Sequence, residues 1–300
     1  MMTDNGKTQS SWMATAEVPS APILTQSLTV DVCIVGAGIA GLTTAYLLTK
    51  EGKSVVVLDD GPIAGGESAR TTAHLASEID DYYYEIERIH GEDGAKLAYS
   101  SHSTAIDTIE QIVAAEKIDC EFERLDGYLF LAPGESQDTL DNELEAATRA
   151  GFADVEKLDS VPLAGFESVP ALRFPRQGQF HPLKYFAALA EAIKRNGGRI
   201  FTGTRVSKIE NGAPAFIETS DGHRVEATAV VVATNTPIND LVKIHTKQHP
   251  YRTYVIGARI PKDSVAKALY WDTLDPYHYV RIQNGDDHDI LIVGGEDHKT

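Results

Sequence analysis

The sequence is poor in cysteine: its 300 residues include only Cys33 and Cys120, and neither stands in a C-x-x-C or C-x-H pattern. That scarcity argues against a disulfide framework and an internal metal-cluster site, predicts no metal ligands, and suits a reducing cytoplasm. Basic residues are short as well, 27 Lys and Arg against 44 Asp and Glu, for a formal net charge of −17. A surface of that sign has no general attraction for nucleic acid or an anionic membrane, so neither is expected as a partner. No apolar run reaches the length of a membrane span. Residues 1–26 are polar and proline-bearing, without the basic start and apolar run of a secretory signal. Trp12, Pro19 and Pro22 mark them as an arm lying on a domain surface, with a disordered leader as the alternative.

What the chain does carry is concentrated between Val30 and Asp60, VDVCIVGAGIAGLTTAYLLTKEGKSVVVLDD. Val30, Val32, Ile34 and Val35 read as a short buried strand, and Gly36-Ala37-Gly38-Ile39-Ala40-Gly41 turns it into a helix with the spacing G-x-G-x-x-G. Gly36 permits the tight turn, Gly38 leaves room for a pyrophosphate against the backbone, and Gly41 lets the helix lie close on the strand. The helix N-terminus favours an anion there through its unpaired N–H groups and dipole. A second strand, Ser54 to Leu58, ends in Asp59 and Asp60, an acidic pair suited to ribose hydroxyls. Strand before, helix after and acid beyond are the context in which this motif means a dinucleotide site; a bare βαβ unit is the alternative.

A second small-residue loop, GPIAGGESARTTAHL, follows with Gly65, Gly66, Ser68, Arg70, Thr71 and Thr72. Its donors suit phosphate and ribityl oxygens, or else its Ser and Thr simply cap the next helix. Glu78 to about Lys117 reads as helical, with Tyr82 to Tyr84 and His90 as packing residues at its approach. Glu121 to Leu131 reads as two short strands around Asp126-Gly127, and Asp138 to Ala150 as an amphipathic helix. His181-Pro182 opens another helix that stops at glycines. Strands follow at Arg199–Ile209 and Phe216–Thr219, and AVVVATNTP, residues 229–237, reads as a buried strand whose small polar end reaches a cofactor. Tyr251–Ile260 and Tyr277–Gly295 return to strands. Tyr277, Tyr279 and Arg281 alternate onto one face, either to take a carboxylate substrate or as a solvent-facing strand with an exposed Arg.

Taken in order, these pieces resemble the FAD-dependent D-amino-acid oxidase and glycine oxidase superfamily from about residue 27 onward. The most specific segments are DVCIVGAGIAGLTTAYLL with VVVLDD, GGESARTTAHL, FHPLKYFAALAEAIKRNGGRIFTGTRVSKIE and AVVVATNTP. The resemblance implies an α/β fold: a Rossmann-like FAD-binding domain with a parallel sheet, of the GR2 type, interleaved with an α+β substrate domain on a mostly antiparallel sheet. The expected division is an arm at 1–26, the FAD-binding domain at 27–79 and 175–240, and the substrate domain at 80–174 and 241–300. It also implies FAD as cofactor, with Gly36, Gly38 and Gly41 on the pyrophosphate, Asp59 on the ribose in place of the more usual Glu, and Gly66, Ser68, Arg70, Thr71 and Thr72 near the diphosphate and ribityl chain. Val206 would meet the adenine through its backbone, and Ala233, Thr234 and Asn235 would line the cofactor from the other side.

The RTTAHL loop and the ending YVRIQNGDDHDILIVGGEDHKT are similar to a bacterial subgroup in which this flavin module precedes a Rieske iron-sulfur domain. The second glycine-rich segment of the family lies beyond Thr300, so the resemblance implies the front part of a longer protein with an iron-sulfur partner or downstream Rieske domain. The implied activity is oxidation of an amine or amino acid by hydride transfer to the flavin. No catalytic base is assigned, and Tyr251, Tyr254, Tyr279 and Arg281 are the substrate-lining candidates. The rival readings are an NAD(P)-dependent dehydrogenase and a non-catalytic flavin-binding or electron-transfer module.

Overall fold

A computed structural model describes residues 8–163, 165–166, 168–238 and 249–299. Residues 1–7 of the expected arm, and 239–248 around the expected break at 240/241, lie outside the described residues. The chain divides into two compact units. The first is Met1–Thr71, Ala115–Cys120 and His181–His249; the second is Thr72–Ala114, Glu121–Phe180 and Pro250–Thr300. Compactness thus breaks the chain at Thr71/Thr72 and Phe180/His181 rather than at 79/80 and 174/175, and joins the arm to the first unit.

In chain order the first half comprises α1 (Ser11–Thr15), β1 (Leu28–Val35), α2 (Ile39–Lys50), β2 (Val55–Leu58), β3 (His74–Leu75), α3 (Tyr83–Glu116), β4 (Glu123–Phe130) and α4 (Gln137–Ala150). There follow β5 (Glu156–Leu158), β6 (Ala171–Gln179), α5 (Pro182–Arg195), β7 (Arg199–Phe201), β8 (Val206–Glu210), β9 (Ala215–Thr219) and β10 (Arg224–Val232). The chain continues through β11 (Tyr251–Ile260), β12 (Leu269–Asp272), β13 (Tyr279–Gln283) and β14 (Asp289–Lys299).

The first unit is built on a sheet of order β7-β2-β1-β10-β9-β8. The pairs β7–β2, β2–β1 and β1–β10 are parallel, and β9 and β8 extend the sheet as antiparallel strands. β1 ends in a fully buried run, Val32 to Val35, and all of β2 is buried, as expected of parallel strands covered on both faces. α5 starts where its sequence says it should. Pro182 occupies the first turn, the His181 ring accepts from the Lys184 N–H at 3.3 Å, and Gly197 closes the end at φ 87°.

The second unit holds a sheet of order β11-β14-β13-β12-β4-β6-β3, with β5 beside β6; β12–β4 is its parallel pair and the rest are antiparallel. Its core gathers Tyr83, Leu129, Leu140, Phe152, Phe174, Leu269 and Trp271. Two local readings change here. Within residues 121–131 there is one strand, Glu123–Phe130, not two, with a bulge between Leu125 and Gly127. Gly127 is not a turn residue but a gap for a neighbour, since a Cβ on it would lie 2.4 Å from the Trp271 ring. The helix expected from Glu78 begins instead at Tyr83 and is interrupted at Gly91, where φ is 73°. Its start is set from a distance: the Glu143 carboxylate on α4 accepts from the Tyr83 N–H at 2.7 Å and the Tyr84 N–H at 3.4 Å. A side chain remote in sequence therefore does the work of an N-cap.

Candidate functional site

The turn between β1 and α2 is shaped by what cannot be placed in it. A Cβ on Gly41 would lie 1.9 Å from the Gly36 carbonyl oxygen, and one on Gly36, itself at φ 110°, would lie 2.3 Å from the Ala233 carbonyl oxygen. Gly41 thus permits helix and strand to touch, and Gly36 lets the end of β10 close against the turn. A Cβ on Gly38 would approach the Ser68 hydroxyl at 3.1 Å. Gly38 is also the N-cap of α2 and supplies no side-chain bond to its amides. The N-cap therefore leaves the first N–H groups of a twelve-residue helix to other partners, a bound anion among them.

Asp59, at the end of β2, is occupied differently from the expectation. Its Oδ2 accepts from the Ala37 N–H at 2.6 Å and its Oδ1 from the Gly61 N–H at 2.7 Å, so the carboxylate first braces the glycine turn. Burial pushes its pKa up, and those two amide bonds oppose the shift. Each oxygen keeps a lone pair for a further donor. Asp60 beside it is exposed.

The second loop reaches the first. Ser68 Oγ accepts from the Ile39 N–H at 3.3 Å, at the start of α2. Arg70 turns its Nη1 back to the Gly65 carbonyl at 3.4 Å, Gly66 has open space around its α-carbon, and Thr71 is exposed. The Ala233 N–H donates to the Val35 carbonyl at 2.7 Å, extending the β1–β10 ladder by one bond, after which Asn235 takes φ 61°. The expected buried strand at 229–237 is thereby corrected: β10 ends at Val232, and among the described residues its last part is open, with Val232 40% exposed. The structure thus brings Gly36, Gly38, Ile39, Gly41, Asp59, Ser68 and Ala233 together. Val206 stands apart at the start of β8, half-buried against the cluster of Leu24, Val30 and Cys33.

The second unit places its candidates in two groups. Tyr251 and Tyr254 lie on β11, the edge strand, 62% and 67% exposed. Arg281 is 3% exposed, which overturns its reading as a solvent-facing residue. Its Nη1 donates to the carbonyls of Thr72, Ala73 and Phe180 at 2.8, 2.9 and 3.4 Å. Burial lowers its pKa to about 10, with Glu121 and Glu123 opposing, so it stays a cation at neutral pH. His74 shares Nδ1 with the Thr72 hydroxyl at 3.2 Å and meets the Tyr279 ring edge-on at 5.4 Å. Burial first, then the Arg281 charge, pushes its pKa down to about 3, so the ring is neutral.

Sequence reasoning missed His74, and it missed the acids around the tyrosines. Asp80 accepts from the Tyr277 hydroxyl at 2.8 Å, and the Asp297 charge acts on both Tyr277 and Tyr279. The His278 ring lies between two carboxylates that accept from it, Asp272 facing Nδ1 at 2.8 Å and Glu296 facing Nε2 at 3.1 Å, and the Asp272 bond raises its pKa most. A cleft of about 270 Å³ on this unit is lined by Tyr99, Asp107, Glu110, Arg124 and Arg176 among others, and holds none of the expected lining residues. No helix among the described residues is long and apolar enough to cross a membrane.

A glycine turn, an acid at the next strand end and a second polar loop, beside the parallel strands of one sheet, define a dinucleotide-binding α/β protein. The family described as FAD dependent oxidoreductase (DAO) matches residues 31–300, and the chain belongs to it. The chain is 33% identical over 291 residues to a putative Rieske 2Fe-2S iron-sulfur protein of Bacillus subtilis, covering 96% of this chain and 56% of that one. It is 32% identical over 269 residues to gamma-glutamylputrescine oxidoreductase of Escherichia coli, covering 87% of this chain and 62% of that one. It therefore spans little more than half the length of these curated relatives. Among solved structures, glycine oxidase from Geobacillus kaustophilus superposes with a TM-score of 0.68 at 18% identity, over 91% of this chain and 72% of that one. The mixed parallel and antiparallel architecture is the fold of that family.

Proposed function

We propose that the protein oxidises an amine or an amino acid with FAD, the first compact unit acting as the cofactor-binding domain and the second as the substrate domain. The observation that carries the reading is the glycine turn at Gly36–Gly41, closed by Ala233, at the start of an α2 whose N-cap offers its amides no side-chain bond. These residues fit a pyrophosphate: small at each close approach, rich in N–H donors, and at the positive end of a helix dipole. Ala37, Ile39 and Ala40 contribute backbone to the same cradle. Asp59 would keep the turn in shape while accepting from the ribose, with Asp60 alongside, and two acids there disfavour a ribose carrying a phosphate. Gly66, Ser68, Arg70, Thr71 and Thr72 would supply the second loop, Ala233, Thr234 and Asn235 the opposite wall, and Val206 the adenine end.

Bound FAD supplies the acceptor for a hydride from the substrate carbon, chemistry that belongs to the cofactor. The chain's own residues bind and orient. Tyr279 remains a lining candidate, whereas Arg281 is better read as holding the Thr72–Ala73 backbone than as clasping a substrate carboxylate. The acids around Tyr277 and Tyr279 favour a cationic amine over a second anion. Cys33 and Cys120, both buried and neither in a disulfide, suit a cytoplasmic location.

Anaerobic titration of the FAD-loaded protein with candidate amines tests the oxidase reading. Bleaching of the flavin absorbance within seconds is expected. A flavin that no amine or amino acid reduces would favour the second reading, an electron-transfer module working with an iron-sulfur partner, which the name of the Bacillus subtilis relative supports. Retention of NAD(P) in place of FAD through gel filtration would reject both.

A further inference from the structure

The amino-terminal arm has no part in the site so far, yet from Ser10 to Leu24 it is held at several points. α1 is capped by Ser10, whose Oγ accepts from the Met13 N–H at 3.3 Å, and Trp12 on it is 2% exposed. The Trp12 Nε1–H donates to the Thr71 carbonyl at 2.7 Å, and the Ser10 hydroxyl donates to the Ala69 carbonyl, also at 2.7 Å. The indole meets the His181 ring edge-on at 4.9 Å, and the Thr15 hydroxyl bonds the same ring at 2.9 Å. Further along, the Thr202 N–H and hydroxyl donate to the Pro22 and Ala21 carbonyls, and Leu24 is 1% exposed.

The two carbonyls that the arm grips flank Arg70, in the loop whose Ser68 hydroxyl sits on the Ile39 amide at the start of α2. The loop's own backbone bonds are short-range, Ala69 to Gly66 and both Arg70 and Thr71 to Glu67. Bonds from outside the loop, such as the two from the arm, add order to it before a ligand arrives, and any order left to be gained on binding would weaken affinity.

We infer that the arm is part of the cofactor site: Ser10 and Trp12 are positioning residues that hold the Gly66–Thr71 loop against the first turn of α2 and so set how tightly FAD is retained. The inference rests on the FAD reading above and adds to it a determinant outside the glycine motifs. Trp12 acts through two separable means, the Nε1–H bond to the loop and the burial of its ring beside His181.

The test compares Trp12→Phe, Trp12→Ala and Ser10→Ala with Leu24→Ala, a control that loosens the arm's other anchor without touching the loop. FAD affinity is read by quenching of flavin fluorescence, loop opening by trypsin cleavage after Arg70 in the FAD-free protein, and general damage by the thermal midpoint. Loss of one hydrogen bond to the loop predicts roughly 5-fold weaker FAD binding for Trp12→Phe and for Ser10→Ala, and more than about 10-fold for Trp12→Ala. Cleavage after Arg70 should speed up in the same order, while Leu24→Ala lowers the midpoint yet leaves FAD affinity and cleavage within about 2-fold of the parent. Equal losses of affinity in Leu24→Ala and Trp12→Ala, or unchanged affinity and cleavage in Trp12→Phe and Ser10→Ala, would overturn the inference. If the parent chain takes no FAD but cleavage follows the predicted order, the loop latch stands and the cofactor reading falls.

Discussion

The glycine turn of the first unit and the polar cluster of the second are both candidate site elements, and they are made of different things. The turn is made of backbone: its shape comes from three missing side chains and one helix end, all within a short run of sequence. The cluster is made by side chains that reach partners far along the chain, Arg281 to the carbonyls of Thr72, Ala73 and Phe180, and Tyr277 to Asp80. A site written in backbone tolerates no added atom, whereas one written in side chains depends on desolvated charges and their partners.

The sharpest way to break that contrast is to add a single methyl group to the turn. Gly41→Ala would set a Cβ 1.9 Å from the Gly36 carbonyl oxygen, so helix and strand must separate. We expect a loss of about 3 kcal/mol or more in urea unfolding, together with loss of FAD retention. On the other side, Arg281→Met keeps the volume but strips the loop carbonyls of their donor. It should cost roughly 2–4 kcal/mol, with Arg281→Lys in between, measured by the same unfolding curves.

A smaller effect should appear as a slope. Burial raises the Glu143 carboxyl to about 8, against the pull of the Tyr84 and Tyr83 amides. The folded chain then holds a proton that the unfolded chain releases above its ordinary value of 4.5. The stabilisation from that proton is complete below pH 4.5 and disappears as the pH rises through 8, with a slope of at most about 1.4 kcal/mol per pH unit. Glu143→Gln should remove this contribution and leave the chain more stable at pH 8 than the parent. A pH–stability curve unchanged by the substitution would place the charge elsewhere, with the buried Glu78 as the next group to test. Smallest of all, Tyr254→Ser on the open edge strand should alter unfolding by less than about 0.5 kcal/mol and leave FAD retention intact.

The same contrast explains what could be read from the sequence. The β1–α2–β2 unit, the Gly36 to Gly41 spacing and the capped helix at Pro182 were legible because each is set by neighbours in sequence, whereas the sheet classes were implied by the family resemblance. Gly127 was misread as a turn because the Trp271 ring it accommodates comes from far along the chain. The start of α3 was misplaced because its cap is Glu143, sixty residues away along the chain. Arg281 was set on an open face because alternation along a strand says which side a residue takes, not whether that side is covered. Trp12 stood in a polar, proline-bearing stretch with no periodic pattern, and only the folded chain reveals the carbonyl it bonds.

The most direct measurement of the central claim is equilibrium dialysis of the ligand-free chain against FAD and, separately, against NAD. The account predicts FAD bound at one per chain, abolished by Gly41→Ala, with no retention of NAD. Binding of NAD in preference to FAD, or FAD binding that survives Gly41→Ala unchanged, would contradict it.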